Sequence, residues 1–563
     1  MHDFSWKIGG PAGFGIMTTG LIFSKAFMRG GYHVFDYTEY PSLIRGGRNT
    51  YQCRVSSEEI FSQNMPVHIL VALNRETIEV NGSEVIEDGI LIYDSDKIKD
   101  EVAKGFGIPL ARLAKESGGE ELMANNVALG ASMQLLGYGL ETLNNVIRDV
   151  FGGKGEEIVA ANTKAAKAGH DYADENYKGK LKVNAKKLGS RKRYLMTGND
   201  AVGAGAIMAG CKFYAGYPMT PTSTLLNYMS LHQNKFNFAV KQCHDEIAVV
   251  NTAIGAAFAG VRAMVGTAGG GFALMAEGYG MAAMTETPLV IVVGQRPGPA
   301  TGLPTWTSQA DLRFVLHAHQ DDFPRIVIAP GDVEEAYRTT QEAHNIAEKY
   351  QTPVILLTDK FLGESHKTVE KLEDIPIERG EIVEQAEGEY LRYKLTKSGI
   401  SPRALPGTKG AIVVANSDEH GESGQSTEES SIRNTMMEKR MRKIELLRKE
   451  LPQPKFYGDK KADITIVCHG SVKGPALEAM KILKKDGISA NILHFVYLAP
   501  FPEEAGKLLK ECKKMVVAEN NYTAQFAGLI REHTGTDIKE KLLKYDGRPF
   551  YPEEIAEKVR QMA

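Results

Sequence analysis

Four short segments combine polar side chains with glycine or proline at positions where α/β proteins bind ligands. Each follows an apolar run that predicts a buried strand, and the segments are residues 217–222, 244–246, 267–271 and 295–299. Open α/β sheets bind ligands at the carboxyl ends of their strands, so loops far apart in sequence line a single crevice. The sequence therefore predicts one active site assembled from these four strand ends.

Arg296 and Thr220 are the side chains suited to holding a carboxylate. A guanidinium presents a planar fork for bidentate contact, and the Thr220 hydroxyl adds a third donor. Pro218 and Pro221 restrict the backbone around Thr220, so that its hydroxyl is held with little loss of entropy on binding. The competing interpretation is an ordinary surface turn that carries Arg296 into solvent.

Glu246 is the candidate for proton chemistry. It stands at a predicted strand-to-helix turn and is followed by the apolar residues 247–250 of its helix. Desolvation at such a place raises the pKa of a carboxyl group and favours the sharing of a proton. The competing interpretation is that Asp245 and Glu246 merely cap the helix and complement its dipole.

Alternating strands and helices position these side chains. Between residues 194 and 385, the strands are predicted at 212–215, 238–242, 262–267 and 289–293, and the helices at 201–209, 246–259 and 272–284. The strands are almost continuous apolar runs, which indicates a parallel sheet covered on both faces. A βαβ pattern opens the chain and a last α/β unit follows residue 464, so the predicted fold class is multidomain α/β.

Size and composition describe a globular protein with several domains. At ~100 to 200 residues per domain, 563 residues predict about three to five domains. A charged fraction of 24% and a net charge of −3 give no reason to expect nucleic acid as a partner. Residues 1–7 lead directly into a strand-like run, and no apolar stretch reaches the ~20 residues of a membrane helix, so we expect a cytoplasmic location without membrane association.

The cysteines predict no cluster in this chain, and the first glycine-rich turn leaves nicotinamide or flavin binding as a minor alternative. The five cysteines are scattered and never form C-x-x-C, which indicates neither a disulfide framework nor an iron-sulfur cluster. Residues 10–15 form a glycine-rich turn with Asp36 ~20 residues beyond it, as in dinucleotide sites. Their spacing is G-x-x-G-x-G, however, not the G-x-G-x-x-G that nicotinamide or flavin binding requires.

Four motifs, spread in order over the chain, carry a family resemblance. They are Tyr-Pro-Ser-Leu-Ile-Arg-Gly-Gly at 40–47, Tyr-Pro-Met-Thr-Pro at 217–221, Glu-Ile-Ala at 246–248 and Gly-Gln-Arg-Pro-Gly-Pro-Ala-Thr-Gly-Leu-Pro-Thr at 294–305. The chain resembles the alpha subunit of a 2-oxoacid:ferredoxin oxidoreductase with its gamma domain fused at the N-terminus. The family often has isoleucine in place of Met219, and the 2-oxoglutarate type is the best match.

The resemblance covers essentially the whole chain and implies a domain order. The implied segments are a gamma-type α/β domain at 1–180, a linker at 181–193, a pyrimidine-binding-type domain with a doubly wound parallel sheet at 194–385, a connector at 386–455 and a transketolase C-terminal-like α/β domain at 456–563.

The resemblance implies thiamine diphosphate chemistry that cleaves the bond between the carboxylate and the carbonyl of a 2-oxoacid. The cofactor supplies the carbanion sink, and the protein supplies orientation and electrostatics. Glu246 matches the catalytic carboxylate beside the pyrimidine ring of the cofactor. Thr220 and Arg296, together with Tyr217 and Pro218, match positions that bind the substrate carboxylate.

The remaining cofactor contacts are divided between this chain and a partner. Gly269 and Gly270 follow a strand at a helix start, where backbone amides approach phosphate closely. The family's Gly-Asp-Gly signature for diphosphate and metal is missing from the sequence. The resemblance therefore implies a beta subunit that shares the thiamine diphosphate and holds Mg²⁺ and [4Fe-4S] clusters, an α2β2 assembly, and ferredoxin as electron acceptor. It also implies that Arg45, Gly46 and Gly47 help to place coenzyme A.

Several alternatives stay open at the level of sequence. The similarity favours 2-oxoglutarate, but pyruvate and branched-chain 2-oxoacids are alternatives. A non-redox thiamine-dependent decarboxylase or transferase component and a non-catalytic paralogue are others. The joint presence of Thr220, Glu246 and Arg296 weighs against the non-catalytic paralogue.

Three further features have mainly structural interpretations. The lysine-rich stretch 178–193 lacks interleaved aromatics, which favours a solvated linker over a functional basic patch. His420 has no second histidine at ligand spacing, which favours a solvated or interface histidine over a metal ligand. Residues 519–521, Glu-Asn-Asn, resemble an interface motif of the C-terminal domain, although a polar turn at a strand end explains them equally well.

Overall fold

The computed structural model describes residues 3–43, 47–179, 181–189 and 191–563. Arg45 and Gly46, predicted to lie near coenzyme A, fall outside these ranges. The chain forms two compact units. The first comprises Met1–Met196, Ser365–Lys371 and Tyr551–Glu553, and the second comprises Thr197–Glu364, Leu372–Phe550 and Glu554–Ala563. Within the described ranges, no helix is both long enough and apolar enough to span a bilayer.

The first unit is built on an eight-stranded sheet. Its elements, numbered in chain order over the whole protein, are β1 (Asp3–Pro11), α1 (Ile16–Arg29), β2 (His33–Glu39), β3 (Arg48–Ser56), β4 (Val67–Ala72), α2 (Arg75–Asn81), β5 (Val85–Asp94), β6 (Gly105–Ile108), α3 (Leu110–Glu116), α4 (Ala124–Leu135), α5 (Leu140–Phe151), α6 (Glu156–Asn176), β7 (Tyr194–Thr197) and, from a later part of the chain, β14 (His366–Val369). The strand order is β6-β5-β4-β1-β3-β2-β14-β7. Residues 365–371 thus belong to this unit although they lie inside the range 194–385 assigned to the central domain.

The strand order of this sheet is inconsistent with a dinucleotide site at residues 10–15. β3 lies between β1 and β2 and pairs antiparallel with both, so Asp36 is on a strand that is not adjacent to β1. Asp36 is fully buried, and its carboxylate accepts hydrogen bonds from the Tyr51 hydroxyl and, at 2.8 Å, from the backbone N–H of His366. A carboxylate that binds ribose has to face the ligand. The role of Asp36 is therefore structural.

The second unit contains two large, mainly parallel sheets and the two-stranded sheet of β15 (Ile382–Gln385) and β16 (Arg403–Lys409). Its elements are α7 (Gly198–Met208), β8 (Cys211–Gly216), α8 (Ser223–Phe236), β9 (Ala239–Gln242), α9 (Glu246–Phe258), β10 (Arg262–Ala268), α10 (Gly269–Met284), β11 (Leu289–Gln295), α11 (Leu312–His317), β12 (Val327–Ile328), α12 (Val333–Tyr350), β13 (Pro353–Asp359), α13 (Lys360–Glu364), β15 (Ile382–Gln385), β16 (Arg403–Lys409), α14 (Ser430–Glu450), β17 (Lys455–Tyr457), β18 (Ile464–His469), α15 (Lys473–Lys485), β19 (Ala490–Phe495), β20 (Tyr497–Ala499), α16 (Ala505–Lys510), β21 (Lys514–Glu519), α17 (Gln525–Thr534), β22 (Glu540–Leu543) and α18 (Pro552–Arg560).

The larger sheet of this unit has the order β20-β12-β13-β11-β10-β8-β9, and only β20 runs antiparallel to its neighbour. The second sheet has the order β17-β19-β18-β21-β22, with β17 antiparallel. Every residue of β10, β11 and β13 is buried, as strands covered on both faces require. The predicted α/β class, with a doubly wound parallel sheet, is confirmed.

Small residues let the helices of the larger sheet approach each other closely. A Cβ atom on Gly278 of α10 would lie 2.6 Å from a methyl group of Val250 on α9, so the two helices pack at a distance that only glycine permits. Gly260, one residue beyond the cap of α9, has φ +106° and donates its N–H to the Ala257 carbonyl at 3.1 Å. This geometry is a left-handed C-terminal cap of the helix.

The polar connector contains more regular structure than its sequence suggests. It contains the strand β16 and the long helix α14, which begins at Ser430. Buried charges anchor α14, because Lys439 Nζ lies 2.7 Å from Glu286 Oε1 and Lys443 pairs with the other oxygen of the same carboxylate. Burial alone would raise the pKa of Glu286, but the two ammonium groups hold that pKa well below its ordinary value.

Two residues are more buried than the sequence suggests. His420 is fully buried, which excludes the solvated alternative: its ring packs on Tyr393 with centroids 4.1 Å apart, and burial lowers its pKa. In the lysine-rich stretch, Lys186 and Lys187 are exposed, as expected for a solvated linker. Arg193, however, is buried and donates hydrogen bonds at 2.7 Å to Glu370 and to the Gly31 carbonyl.

Candidate active site

The structure brings the carboxyl ends of β8, β10 and β11 together at one edge of the larger sheet. These strands are adjacent and parallel, with Gly216 paired to Gly266 and Ala268 paired to Gly294. A Cβ atom on Gly294 would lie 2.8 Å from Pro221, so glycine is needed for the segment after β8 to cross the end of β11. The predicted convergence of the strand ends is thus seen in the structure.

Glu246 is buried at the start of α9, and its neighbour does the capping. The Asp245 side chain accepts a hydrogen bond from the backbone N–H of Ala248 at 2.7 Å. Glu246 is only 3% exposed, and among the described residues its Oε1 atom has no hydrogen-bond partner although it is buried. Asp245 therefore fulfils the capping role, and an unpaired buried carboxylate oxygen is left for another purpose.

Gly271 makes room for this carboxylate. A Cβ atom at Gly271 would lie 2.5 Å from Glu246 Oε1 and closer still to the Thr267 hydroxyl. Because real Cβ atoms essentially never approach other atoms within 3.0 Å, any larger residue would push the carboxylate away. The glycine-rich start of α10 thus positions Glu246.

Arg296 lies half-buried beside the segment that follows β8. One of its terminal nitrogens donates a hydrogen bond to the Thr220 carbonyl at 2.7 Å, and this is the one hydrogen bond of the guanidinium that we find within the described chain. Burial lowers the pKa of Arg296, and the carboxylates of Asp311 and Glu246 oppose that shift. The competing interpretation of a turn that carries Arg296 into solvent is inconsistent with this environment. Donors remain for a bidentate contact.

The other predicted residues belong to the segment after β8 and to the end of β10. Thr220 is half-buried, Tyr217 is 39% exposed and Pro218 is exposed. The Thr267 hydroxyl donates to the Met219 sulfur at 3.8 Å, which joins the segment after β8 to the end of β10. The proposed roles of these residues in substrate binding stay predictions.

Gly269 and Gly270 begin α10, as the sequence predicts, but only one of them is crowded. Gly270 has no neighbour closer than 3.9 Å to the position of a Cβ atom, so the backbone there is open to a bound group. A Cβ atom on Gly269 would lie 2.7 Å from Oδ1 of Asp311 and even nearer to Oδ2. Gly269 thus makes room for a second carboxylate.

Asp311 is the site residue that sequence reasoning missed. It follows β11 by sixteen residues and precedes α11, a pattern that indicates only a helix cap, yet its side chain makes no capping hydrogen bond. Its Oδ2 atom is buried without a partner among the described residues. Burial raises the pKa of Asp311 to about 6, and the Arg296 guanidinium opposes this rise.

Of the three residues predicted near coenzyme A, Gly47 is the one within the described ranges. Gly47 precedes β3 in the first unit with φ +72°, a conformation that favours glycine. Within the described ranges, no group of three or more His, Cys, Asp or Glu side chains could hold a metal ion. The cysteines in these ranges are all free.

The residues at the sheet edge fit the pyrimidine side of thiamine diphosphate. The unpaired Glu246 oxygen is the acceptor that such a ring requires, and Gly271 leaves space beside it. The open backbone at Gly270 lies on the same helix start.

Protein-family models match most of the chain. The model described as pyruvate ferredoxin/flavodoxin oxidoreductase matches residues 5–172. The model described as pyruvate flavodoxin/ferredoxin oxidoreductase, thiamine diP-bdg, matches residues 204–439, which include Glu246, Arg296 and Asp311. The model described as pyruvate:ferredoxin oxidoreductase core domain II matches residues 462–555.

Similar proteins extend over nearly the full length. The 2-oxoacid:ferredoxin oxidoreductase subunit alpha of Sulfolobus sp is 35% identical over 98% of this chain and 96% of its own. The 2-oxoglutarate oxidoreductase subunit KorA of Mycobacterium tuberculosis is 28% identical over 98% and 90%. The solved structure of 2-oxoglutarate:ferredoxin oxidoreductase from Magnetococcus marinus, with 2-oxoglutarate, coenzyme A and succinyl-CoA bound, is 34% identical, covers 100% of this chain and 99% of that chain, and superposes with a TM-score of 0.94. The chain therefore belongs to the family of 2-oxoacid:ferredoxin oxidoreductase alpha subunits and is a subunit of an oxidoreductase.

Proposed function

We propose that this chain forms part of an enzyme that oxidatively decarboxylates 2-oxoglutarate with coenzyme A, producing succinyl-CoA and CO2 and transferring the electrons to ferredoxin. The observation that carries the proposal is the unpaired, buried Glu246 oxygen at the same sheet edge as Arg296. The choice of 2-oxoglutarate is supported by the similarity to the Magnetococcus marinus enzyme, whose structure contains 2-oxoglutarate.

Glu246 acts on the cofactor side of the reaction. When bound, thiamine diphosphate supplies the electron sink for the carbanion that decarboxylation leaves. Glu246 would hold the pyrimidine ring through Oε1 and share a proton with a ring nitrogen. Its burial excludes water from the carboxylate, and Gly271 fixes its position, so the proton is shared in one geometry.

Arg296 and Thr220 act on the substrate side. The guanidinium, held by the Thr220 carbonyl, keeps free N–H donors for the carboxylate of the 2-oxoacid. The Thr220 hydroxyl adds a third donor, and Tyr217 and Pro218 line the same segment. Partial burial strengthens these charge-assisted contacts compared with the same contacts in water.

The proposal includes a beta subunit. This subunit shares the thiamine diphosphate and holds its Mg²⁺ and the [4Fe-4S] clusters, because the Gly-Asp-Gly signature is missing from this sequence. We propose an α2β2 assembly in the cytoplasm, with Arg45, Gly46 and Gly47 near coenzyme A. The beta subunit completes the pocket around the far end of the substrate and thus contributes to the choice of 2-oxoacid.

Purified α and β subunits, produced together, test this function. Coenzyme A-dependent reduction of ferredoxin is followed with 2-oxoglutarate, pyruvate and 2-oxoisovalerate in parallel. We expect reduction with 2-oxoglutarate at the highest kcat/KM. A higher kcat/KM with pyruvate or 2-oxoisovalerate would reject the substrate, and no reduction by a complex that contains thiamine diphosphate and intact clusters would reject the reaction.

A further inference from the structure

The C-terminal domain holds the loop that carries Asp311. The backbone N–H of Gln309 donates to the Asn520 carbonyl at 2.7 Å, and the backbone N–H of Asn520 donates to Gln309 Oε1 at 3.1 Å. The Asn521 amide donates to the Gln309 carbonyl at 3.2 Å, and the Gln525 amide donates to the Ala310 carbonyl at 2.8 Å. The Glu-Asn-Asn motif at 519–521 is therefore an interface motif within this chain.

Glu519 in turn fixes this motif. Its buried carboxylate accepts hydrogen bonds from the backbone N–H of Phe526 at 2.8 Å, the backbone N–H of Ala527 at 3.1 Å and the Asn521 amide at 2.6 Å. A buried carboxylate with this many hydrogen bonds holds the turn in one conformation. The position of Asp311 thus depends on a turn that follows β21, a strand of the second sheet.

The loop brings the Asp311 carboxylate close enough to the Arg296 guanidinium for each group to shift the pKa of the other. The backbone N–H of Asp311 donates to Gln295 Oε1 at 3.0 Å, and Gln295 immediately precedes Arg296. The carboxylate lies against Gly269 at the start of α10, where Glu246 also approaches through Gly271. A buried carboxylate oxygen without a partner is costly, so its retention at this point needs an explanation.

We propose that Asp311 is a positioning residue that acts through Arg296 and takes up a proton when the carboxylate of a 2-oxoacid binds. This inference rests on the proposed function, because it assumes that Arg296 receives that carboxylate. In the free enzyme the ionised Asp311 balances the guanidinium. The incoming carboxylate brings another negative charge to the same place, and a proton from solvent removes the repulsion between the two acids.

Proton uptake gives substrate binding a defined pH dependence. Below the pKa of free Asp311, about 6, the acid already holds its proton and binding does not change with pH. Above that pH, each binding event takes up a proton, so the dissociation constant increases with pH. The limit for a single linked proton is about tenfold per pH unit.

Few charged groups face Asp311. Among the described residues, Arg296 is the charged side chain that lowers the pKa of Asp311, and Glu246 is the second acid at the same helix start. α10 contributes glycine there, and the C-terminal domain contributes the uncharged amides of Asn521 and Gln525 through its contacts to the loop. If substitution of Asp311 changes the pH dependence of the dissociation constant, the change is therefore due to the loss of the Asp311 carboxyl group.

The test uses the holoenzyme with its β subunit and the saturated analogue of whichever acid is turned over: glutarate for 2-oxoglutarate, propionate for pyruvate or isovalerate for 2-oxoisovalerate. These analogues keep the carboxylate but lack the 2-oxo group, so they bind without reacting. Their inhibition constants are measured between about pH 5 and 8. We expect the constant to rise above about pH 6 for the wild type and to be independent of pH for Asp311→Asn.

Glu342→Gln is the matched control. Burial also raises the pKa of Glu342, but this acid is paired with Arg338 at 2.5 Å and with Tyr497, away from Arg296. This variant should keep the wild-type pH dependence. If Asp311→Asn fails to fold, calorimetry of the wild type in buffers of different ionisation enthalpy measures the same quantity, with about one proton taken up per analogue bound.

The outcomes separate the two proposals. Failure to turn over any 2-oxoacid rejects the proposed function. Turnover with an inhibition constant independent of pH, with no proton taken up, or with an unchanged pH dependence in Asp311→Asn rejects only the role of Asp311.

Discussion

Replacing Gly271 with alanine should displace Glu246 without changing any group that reacts. The added Cβ atom would lie 2.5 Å from Glu246 Oε1, whereas ordinary contact begins at 3.4 Å, so the oxygen has to retreat by about 0.9 Å. The Thr267 hydroxyl, on the other side, lies closer still. Relief of the overlap therefore moves both side chains or shifts the start of α10.

The expected effect is large for so small a substitution. A misplacement of about 1 Å at a catalytic group costs on the order of 10²-fold in rate, which is about 2.7 kcal/mol in the activation free energy. Overpacking also costs about 1–3 kcal/mol in the free energy of unfolding. We therefore expect the kcat of Gly271→Ala to fall on the order of 10²-fold while the complex with the β subunit still forms.

The assay is coenzyme A-dependent reduction of ferredoxin by the purified α–β complex at saturating thiamine diphosphate. Gly255→Ala is the control on α9, since nothing lies within 4 Å of its Cβ position. Alanine there should increase the free energy of unfolding by about 0.5–1 kcal/mol. A Gly271→Ala enzyme with wild-type kcat and thiamine diphosphate affinity would show that Glu246 does not need its observed position.

Three other substitutions test the site and its support. Arg296→Ala should lower kcat/KM for the 2-oxoacid by about 10- to 150-fold, because a hydrogen bond to a charged group contributes about 1.5–3 kcal/mol, and Arg560→Ala, at an exposed ion pair, should leave it unchanged. Glu246→Gln should slow cofactor activation, measured as kcat, by about 10²- to 10⁴-fold with assembly intact. Glu286→Gln should lower the free energy of unfolding in urea by about 3–5 kcal/mol, because the buried ammonium of Lys443 loses its counter-charge.

Each of these predictions has an outcome that contradicts it. Unchanged saturation by 2-oxoacid in Arg296→Ala would remove that residue from substrate binding. Full turnover in Glu246→Gln would remove the carboxylate from the mechanism. A urea midpoint and slope equal to those of the wild type in Glu286→Gln would mean that the ammonium of Lys443 is neutral or rehydrated in the folded protein.

Local patterns in the sequence sufficed for four strands of the larger sheet, β8, β9, β10 and β11, whereas β12, β13 and β20 were not predicted. Apolar runs predicted the strands that end before residues 217, 268 and 294, and the observed strands β8, β10 and β11 differ from the predicted bounds by no more than two residues at either end. Buried parallel strands need continuous apolar sequence, so the pattern is unambiguous there. The connector was harder, since the helix α14 is anchored by buried lysines that look solvent-exposed in the sequence.

The sequence by itself determined that this is an α/β protein, and it predicted one functional sheet edge with Glu246, Thr220 and Arg296, named by their types and by resemblance. Only the tertiary structure showed that Asp245 does the capping and leaves Glu246 unpaired, and that Asp311 lies with them. The physical reason is that Asp311 is positioned by hydrogen bonds from residues about 210 positions later in the chain. No local sequence pattern can reveal these hydrogen bonds, because they depend on how the C-terminal domain packs on the loop.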